Sequence, residues 1–212
     1  MKVVILVNGD IVSSCKIKKH IDDADMLIAA DGGANIAYRE GYIPKYIIGD
    51  LDSIDSSVLD YFKLKGSIIE KYPCDKDYID SELCLNKALE FKPEEIVYLG
   101  GIGNRLDHNI GNIHLLYKTI QKGINSYIVS ETADVYICSG FLSISGKVGD
   151  TISILPLLEN TKGITLKGFK YTLNKASFDF GNVFGTCNVM EEEKCYIEID
   201  KGALIVIKQY NI

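Results

Sequence analysis

The sequence lacks three features that would place it at once in a broad class of protein. Its apolar runs are far shorter than the roughly 20 residues that a membrane-spanning helix requires. Acidic residues outnumber basic ones, 29 against 23, whereas nucleic-acid-binding proteins normally present a basic face. No two cysteines have the CxxC spacing of structural zinc sites. We therefore expect no membrane, no nucleic-acid partner and no structural zinc.

The chain of 212 residues contains six cysteines, an even number that would permit disulfides. A chain of this length and apolar content builds a core without them, so we expect reduced thiols. The opening apolar run, residues 3–7, is too short for a signal peptide and reads better as a buried strand. These observations favour a cytoplasmic protein.

The periodicity of apolar residues changes at about residue 131 and divides the chain into two parts. In the first 130 or so residues, short β-branched runs alternate with segments of helical spacing; the runs are residues 3–7, 26–29, 46–48, 67–69, 96–99 and 126–129. One predicted helix has Ile110, Ile113, Leu116 and Ile120 on a single stripe. Alternation of strand and helix predicts an α/β domain with a mostly parallel sheet.

After about residue 131 the helical periodicity stops. Strand-like runs separated by Gly, Asn and Lys replace it: residues 135–138, 151–155, 164–166, 177–180, 196–199 and 203–207. This pattern predicts an all-β sandwich. We accordingly predict two domains: residues 1–132, an α/β domain, and residues 133–212, a β-sandwich domain.

Five aspartates lie in two short clusters of the N-terminal half: Asp50, Asp52, Asp75, Asp77 and Asp80. Close carboxylates repel one another and raise each other's pKa, so this clustering is unfavourable unless a cation neutralises it. Mg²⁺ prefers hard oxygen ligands and commonly shares its positions with nucleotide phosphates. The clusters therefore predict an Mg²⁺–nucleotide enzyme whose fold brings these aspartates to one point.

The same aspartates also have structural interpretations. Asp52 or Asp55 can cap a helix that begins near Ser56. Asp77 and Asp80 are three residues apart, share a face of the next predicted helix, and would stabilise its dipole by about 0.3–1 kcal/mol each. Helix stabilisation thus accounts for some of these residues and leaves the others, Asp50 above all, for a metal.

Glycines follow two of the predicted strands. Asp31 is followed by Gly32 and Gly33, and residues 99–109 contain three more glycines before a predicted helix. Glycine lets the backbone approach a phosphate, and the N-terminus of a following helix favours an anion. The Asp31 segment is neither a Walker A loop nor a GxGxxG fingerprint, so a plain strand–helix turn remains an alternative there.

Charged residues near these segments suit phosphate chemistry. Arg105 can hold two phosphate oxygens at once, and Lys76 adds positive charge within the second acidic cluster. Asp107 is a candidate N-cap of the following helix, and His108 either caps, packs or acts as a base. Phosphoryl transfer depends more on positioning and charge neutralisation than on a strong base, which argues against a catalytic His108.

Taken in order, the segments resemble the bacterial thiamine pyrophosphokinase family. The matching stretches are Asn8-Gly9, residues 31–34, residues 49–53, residues 75–77 with Asp80, residues 103–108, residues 168–171, and Asn188. Each stretch alone is a weak signal, but the ordered set covers nearly the whole chain.

The resemblance implies an α/β nucleotide-binding domain followed by a β-sandwich that binds thiamine and dimerises. It implies transfer of the pyrophosphoryl group of ATP to the hydroxyl of thiamine, with Mg²⁺, giving thiamine diphosphate and AMP. It also implies a homodimer with the active site at the subunit interface.

The resemblance also assigns residues. The implied Mg²⁺ ligands are Asp50, Asp52 and Asp80. The residues implied to face the nucleotide are Asn8, Gly9, Asp31, Gly32, Gly33, Lys76, Asp77, Asn104 and Arg105. The implied catalytic residues are Asp50, Arg105 and Asp107, and either aspartate can be the proton acceptor. The residues implied to contact thiamine are Tyr171, Cys187 and Asn188; from chemistry alone, Tyr171 is also compatible with a core or edge position.

Two positions depart from the family pattern, which has threonine at Ile79 and serine at Cys187. Neither change removes a charge, so we expect a working enzyme. Two other functions compete with this one: another Mg²⁺-dependent nucleotide transferase, and a non-catalytic nucleotide or thiamine sensor. The density of aspartates argues against a sensor, which needs fewer metal ligands.

Overall fold

A computed structural model describes residues 1–10, 13–75 and 77–210. The chain divides into two compact units, Met1–Glu131 and Thr132–Ile212. The first unit has α/β architecture and the second is an antiparallel β-sandwich, which confirms the predicted fold class. Among the described residues, no helix is both long enough and apolar enough to cross a bilayer.

The first unit alternates strands and helices along the chain. Its strands are β1 (Lys2–Leu6), β2 (Met26–Ala30), β3 (Tyr46–Gly49), β4 (Ile68–Lys71), β5 (Glu95–Leu99) and β6 (Asn125–Val129). Its helices are α1 (Ser14–Ile21), α2 (Gly33–Glu40), α3 (Ser56–Leu64), α4 (Asp80–Leu89) and α5 (Leu106–Ile120).

All strand pairs of this unit are parallel, in the order β6-β5-β1-β2-β3-β4. The chain runs outward from β1 through β2, β3 and β4, and then returns to place β5 on the other side of β1. The strand order therefore reverses between β1 and β5. In open parallel sheets, ligands bind in the crevice beyond the carboxyl ends of the strands at this reversal.

Burial on both faces explains the near-continuous apolar strands of this sheet. Val4 and Leu6 of β1 belong to a core cluster that also contains Ile17 of α1, Ala37 of α2 and Phe62 of α3. The other face of β1 is equally buried, and α4 packs against β1, β2 and β3. Strands covered on both sides read as unbroken hydrophobic runs, which is why β1, β2, β3 and β5 were readily predicted from the sequence, whereas the edge strand β4 has no fully buried residue.

Two expectations for the helices were wrong. Helix α4 begins at Asp80, so Asp77 precedes the helix and does not share a helical face with it. In α5 the buried residues are Asn112, Leu115, Leu116 and Thr119, whereas Ile110 of the predicted stripe is 48% exposed. Two polar residues stand on the buried face because their side chains find hydrogen-bond partners there.

The second unit consists of two antiparallel sheets. Its strands are β7 (Ala133–Cys138), β8 (Phe141–Ser145), β9 (Thr151–Pro156), β10 (Thr161–Lys167), β11 (Leu173–Phe178), β12 (Asn188–Val189), β13 (Lys194–Glu198) and β14 (Leu204–Gln209). One sheet has the order β12-β9-β14-β7 and the other has the order β11-β10-β13-β8. Side chains from both sheets, including Ile154, Ile164, Ile197 and Val206, form one core.

Sequence periodicity missed parts of this sandwich. It did not predict β8, in which only Ile144 is buried, or the two-residue strand β12. It also placed a strand at residues 177–180, whereas β11 ends at Phe178 and Phe180 is exposed. Edge strands with few buried residues give a weak alternation signal.

Candidate active site

The reversal of strand order creates a cleft in the first unit. A cavity of about 170 Å³ lies beyond the ends of β1 and β5. Its lining includes Asn8, Gly9, Gly100, Gly101, Gly103, Asn104, Arg105, His108, Asn109 and Asn112. The structure therefore brings together four of the residues predicted to face the nucleotide, Asn8, Gly9, Asn104 and Arg105.

Glycine is required at two points of this cleft because backbones approach closely. A Cβ at Gly9 would overlap the carbonyl oxygen of Gly100 and lie 2.6 Å from that of Ile102. A Cβ at Gly33, the first residue of α2, would overlap the carbonyl oxygen of Leu6. Glycine at position 9 lets the loop after β1 pack against the Gly100 backbone, and glycine at position 33 lets the start of α2 pack against the Leu6 backbone. Phosphate-binding turns require such close backbone approach.

Two asparagines fix the loop after β5. Asn109 accepts a hydrogen bond from the Gly103 N–H and donates one to the Gly103 carbonyl, each at 2.8 Å. Buried Asn112 donates to the Gly101 carbonyl and accepts from the Ser81 hydroxyl of α4, each at 2.6 Å. Sequence reasoning missed these positioning residues, because a buried asparagine has no distinguishing sequence signal.

Arg105 and Asp107 form an exposed ion pair at the mouth of the cleft. The guanidinium nitrogen lies 2.6 Å from the Asp107 carboxylate. This hydrogen bond lowers the pKa of Asp107 to about 2, with a smaller contribution from the His108 backbone. Arg105 is the N-cap residue of α5, whereas Asp107 lies in the first turn of the helix and does not cap it.

Three carboxylates from separate elements converge next to the cleft. Asp31 follows β2, Asp50 follows β3 and Asp80 begins α4, and each offers an oxygen within 4.8 Å of the other two. The Asp31 N–H donates to the Ile48 carbonyl at 2.9 Å, which ties the end of β2 to that of β3. The group combines two predicted metal ligands, Asp50 and Asp80, with a residue predicted to face the nucleotide.

Asp31 is the most unusual member of this group. It is only 7% exposed, its backbone is left-handed at φ 44°, and its Oδ1 atom has no hydrogen-bond partner among the described residues. Burial raises the pKa of Asp31, hydrogen bonds from Ser53 and Gly32 oppose this, and the charges of Asp80 and Asp50 add to the rise. A cation here would satisfy the orphaned oxygen and relieve the repulsion.

The remaining acidic residues lie farther out. Asp52 is exposed and groups with Asp50 and Cys74, again with ligand atoms within 4.8 Å of one another. Asp77 is exposed in the turn before α4. Lys76, predicted to neutralise phosphate charge, lies outside the described residues. Asp55 is the N-cap residue of α3 but makes no capping hydrogen bond through its side chain.

The second unit has its own cavity, about 340 Å³ in volume and mostly apolar in its lining. The lining residues are Leu166, Tyr171, Leu173, Phe178, Phe184, Gly185, Thr186 and Asn188. Tyr171 is 60% exposed, so it is not a core residue. The cavity thus joins Tyr171 and Asn188, whereas Cys187, exposed and left-handed at φ 58°, is not among the lining residues.

The Asn188 side chain is already engaged with the protein. Its Oδ1 accepts hydrogen bonds from the N–H groups of Tyr171 and Val189 at 3.0 and 2.9 Å, and its Nδ2 donates to the Tyr171 carbonyl at 2.8 Å. One Nδ2 hydrogen remains for a further acceptor. Asn188 therefore positions Tyr171, a role that its sequence context did not indicate.

A parallel sheet with glycine-containing turns and a carboxylate group at the carboxyl ends of its strands can hold a nucleotide and a divalent cation. An apolar cavity in a separate sandwich can hold an organic co-substrate. Fold and site together define a two-domain nucleotide-dependent transferase.

Comparison with known families specifies this class further. The model "Thiamin pyrophosphokinase, catalytic domain" matches residues 17–128, and the model "Thiamin pyrophosphokinase, vitamin B1 binding domain" matches residues 142–204. The chain therefore belongs to the thiamin pyrophosphokinase family, a family of transferases in thiamine diphosphate biosynthesis. This confirms the resemblance that its motifs indicate and the thiamine diphosphokinase activity expected from them.

Individual relatives agree with this assignment. The chain is 30% identical over 191 residues to thiamine pyrophosphokinase of Bacillus subtilis (strain 168), covering 89% of each sequence. It is 28% identical over 216 residues to thiamine pyrophosphokinase 1 of Oryza sativa subsp. japonica, covering 90% of this chain and 81% of that protein. The crystal structure of the thiamine pyrophosphokinase from Bacillus subtilis matches with a TM-score of 0.90 and 27% identity over 100% of both chains.

Proposed function

We propose that the protein transfers the pyrophosphoryl group of ATP to the hydroxyl of thiamine in an Mg²⁺-dependent reaction that yields thiamine diphosphate and AMP. The observation that carries the proposal is the convergence of Asp31, Asp50 and Asp80, with oxygens within 4.8 Å of one another. A Cβ at Gly32, the residue after Asp31, would overlap the Asn8 side chain, so this group lies beside the cleft between β1 and β5.

The carboxylate group fits Mg²⁺. All of its donors are hard oxygens, and the buried Oδ1 of Asp31 has no partner among the described residues. Asp31, Asp50 and Asp80 would hold the ion, with Asp52 bordering it next to Asp50. When bound, Mg²⁺ supplies charge neutralisation at the transferred phosphates.

The cleft provides the groups expected to bind the nucleotide. Gly9 and Gly103 expose backbone next to Asn8 and Asn104, and the N-terminus of α5 adds a partial positive charge. Arg105 is held at the cleft by Asp107. Both side chains are about two-thirds exposed, so exchange of Asp107 for a phosphate oxygen requires little desolvation.

Before substrates bind, Asp107 has a pKa of about 2, because the hydrogen bond from Arg105 stabilises its ionised form. Asp107 thereby positions Arg105 at the cleft until a phosphate takes its place. The acceptor of the thiamine hydroxyl proton is Asp50 or Asp107, as the family resemblance implies.

We propose that the cavity of the second unit receives the pyrimidine ring of thiamine. Its aromatic lining suits a flat heterocycle, and the free Nδ2 hydrogen of Asn188 can reach a ring acceptor. The Lys170 ammonium lies 5.5 Å from the Tyr171 ring centroid. This positive charge would repel the cationic thiazolium ring of thiamine. The neutral pyrimidine ring is therefore the part of thiamine that we expect at Tyr171.

We further propose a homodimer with the active site at the subunit interface, as the family resemblance implies. Four apolar side chains near the second cavity are largely exposed: Tyr171 at 60%, Phe180 at 66%, Val183 at 62% and Phe184 at 81%. Exposed apolar groups of this kind are typical of interaction surfaces. Sedimentation equilibrium tests the proposal, and a monomer across the working concentration range would refute it.

The reaction is tested by product analysis with purified protein, ATP, Mg²⁺ and thiamine. We expect AMP and thiamine diphosphate in equal amounts, and AMP only when thiamine is present. Asp80→Asn should lose activity, whereas the control Asp55→Asn, which neutralises an exposed aspartate outside the group, should keep it. Release of ADP, or full activity of Asp80→Asn, would contradict the proposal.

A further inference from the structure

The loop that joins β3 to α3 carries Asp50 and Asp52. Residues 50–55, all of them described, form neither helix nor strand. Local contacts shape the first half of this loop: Leu51 has left-handed backbone at φ 67°, and the Asp52 N–H donates to Asp50 Oδ1 at 3.2 Å. The second half depends on a contact with another element.

That contact comes from Asn35, a half-buried residue in the first turn of α2. Its Nδ2 donates a hydrogen bond to the Ser53 carbonyl at 2.8 Å, and its Oδ1 accepts one from the Asp55 N–H at 3.2 Å. One amide side chain thus holds the loop at two points, through its donor and its acceptor together. A carboxylate or an alkyl side chain in the same place could not make both bonds.

The backbone of Asn35 is fixed relative to Asp31. The Ala34 N–H donates to the Asp31 carbonyl at 2.9 Å, and the Asn35 N–H donates to the Gly32 carbonyl at 3.0 Å. These two bonds close the turn between β2 and α2. Asn35 therefore joins a hydrogen-bonded turn that carries Asp31 to the loop that carries Asp50.

Ser53 links this anchoring to the carboxylates. Its carbonyl is held by Asn35, while its hydroxyl donates to Asp52 Oδ1 at 2.9 Å. Burial raises the pKa of Asp31, and a hydrogen bond from the Ser53 side chain opposes that rise. The Ser53 hydroxyl thus stands between two carboxylates. If Asn35 released the Ser53 carbonyl, the loop that carries Asp50 could move away from Asp31.

A purely structural role for Asn35 would have a different consequence. Both of its bonds to the loop lie in exposed surroundings, where water can replace either partner, so their net contribution to stability is small. The bond from the Ser67 hydroxyl to the Pro44 carbonyl, 2.6 Å long, is a comparable side-chain-to-backbone contact before β4, at the opposite edge of the sheet. Asn35 differs from Ser67 in that its bonds hold a loop of the carboxylate group.

We propose that Asn35 is a positioning residue for the cation: it holds residues 50–55 against α2, so that Asp50 stays within reach of the ion bound by Asp31 and Asp80. The inference rests on the proposed Mg²⁺ site and deepens it. Removal of a group that orients metal ligands typically lowers metal affinity by about 10–100-fold. If release of the loop weakens Mg²⁺ binding, bound Mg²⁺ must oppose that release by the same factor.

Thermal unfolding of the full chain at increasing Mg²⁺ concentration, without ATP or thiamine, tests this role. We expect the Mg²⁺ concentration for half-maximal stabilisation to rise by at least about tenfold in Asn35→Ala. The matched control Ser67→Ala loses a hydrogen bond at the other edge of the sheet and should keep the wild-type value. In the activity assay, the Mg²⁺ requirement of Asn35→Ala should rise in parallel, and its KM for thiamine should stay unchanged. A wild-type midpoint in Asn35→Ala, or an equal rise in Ser67→Ala, would overturn the proposal.

Hydrogen exchange in the unaltered protein provides a second test. The Asp55 amide, which bonds to Asn35 Oδ1, should exchange more slowly when Mg²⁺ is present. The Gln121 amide, which bonds to the Tyr117 carbonyl at the end of α5, should exchange at the same rate with and without Mg²⁺. Exchange at Asp55 that is unaffected by Mg²⁺ would contradict the proposal. Unfolding and exchange involve no turnover, so a wild type that responds to Mg²⁺ but forms no AMP would count against the proposed reaction and not against the role of Asn35.

Discussion

Replacement of Asp31 by asparagine should stabilise the metal-free protein while removing its response to Mg²⁺. Asparagine keeps the shape of the side chain and tolerates the left-handed backbone found at this position. Its amide group can donate hydrogen bonds to the Asp50 and Asp80 carboxylates. The substitution therefore converts repulsion within the group into attraction.

The size of the effect follows from the geometry. Two unit charges 4.8 Å apart at an effective dielectric constant of 20 repel by about 3.5 kcal/mol. Burial and the neighbouring charges raise the pKa of Asp31, whereas hydrogen bonds from Ser53 and Gly32 oppose the rise and offset part of this repulsion. We therefore expect the variant to gain about 1–3 kcal/mol in free energy of unfolding. For a chain of this size, each kcal/mol shifts Tm by about 2–4 °C.

The assay is thermal unfolding with and without Mg²⁺. At about a hundredfold excess over Kd, Mg²⁺ should stabilise the wild type by about 2.7 kcal/mol and leave Asp31→Asn nearly unchanged. Asp55→Asn is the matched control, because it removes an exposed aspartate outside the group. It should stay within about 0.5 kcal/mol of the wild type and keep the Mg²⁺ response. A less stable Asp31→Asn protein, or one with the full Mg²⁺ response, would refute the assignment of a cation to this group.

Four further outcomes are expected. Tyr171→Ala should weaken thiamine binding by about 1–3 kcal/mol in calorimetry, as loss of aromatic stacking does elsewhere, and Tyr171→Phe should not. Asn188→Asp should lower the denaturation midpoint, corresponding to a loss of about 1–3 kcal/mol, because the Tyr171 carbonyl loses its donor. Gly9→Ala should abolish ATP binding in equilibrium dialysis without unfolding the second unit, since its Cβ overlaps the Gly100 carbonyl. Asp107→Asn should leave the acid limb of the activity profile between pH 5 and pH 7 unshifted: a depressed pKa of about 2 means that this carboxylate ionises far below that range. A shifted limb would identify Asp107 as the titrating base.

The parts of the fold that sequence predicted best are those with the simplest physical cause. Strands buried on both faces must be apolar throughout, and β1, β2, β3 and β5 therefore stand out against their polar surroundings. In the sandwich, β8 has a single buried residue, and the two-residue β12 is too short to show a period. β8 forms because it pairs with β13, and β12 because it pairs with β9. These partners are distant in sequence, so a local residue pattern does not reveal them.

The residues of the site also differ in how well the sequence predicts them. Asp50 was identified from its neighbours in sequence, because it directly follows an apolar strand. The grouping of Asp31 with Asp80 was not accessible in the same way, since it depends on the order of β2 and β3 and on the starting residue of α4. The engagement of Asn188 with Tyr171 likewise joins residues 17 positions apart. The sequence thus indicated candidate site residues, and the order of the strands determines which of them lie close together.

The bridge through Asn112 carries a consequence for cooperativity. Its single buried amide joins Ser81, next to Asp80, to Gly101 in the loop after β5. A ligand that immobilises one end of this bridge reduces the entropy that a second ligand must give up at the other. Cation and nucleotide should consequently assist each other's binding by the same factor in either order of addition, and Asn112→Ala should erase that mutual assistance while leaving both sites in place.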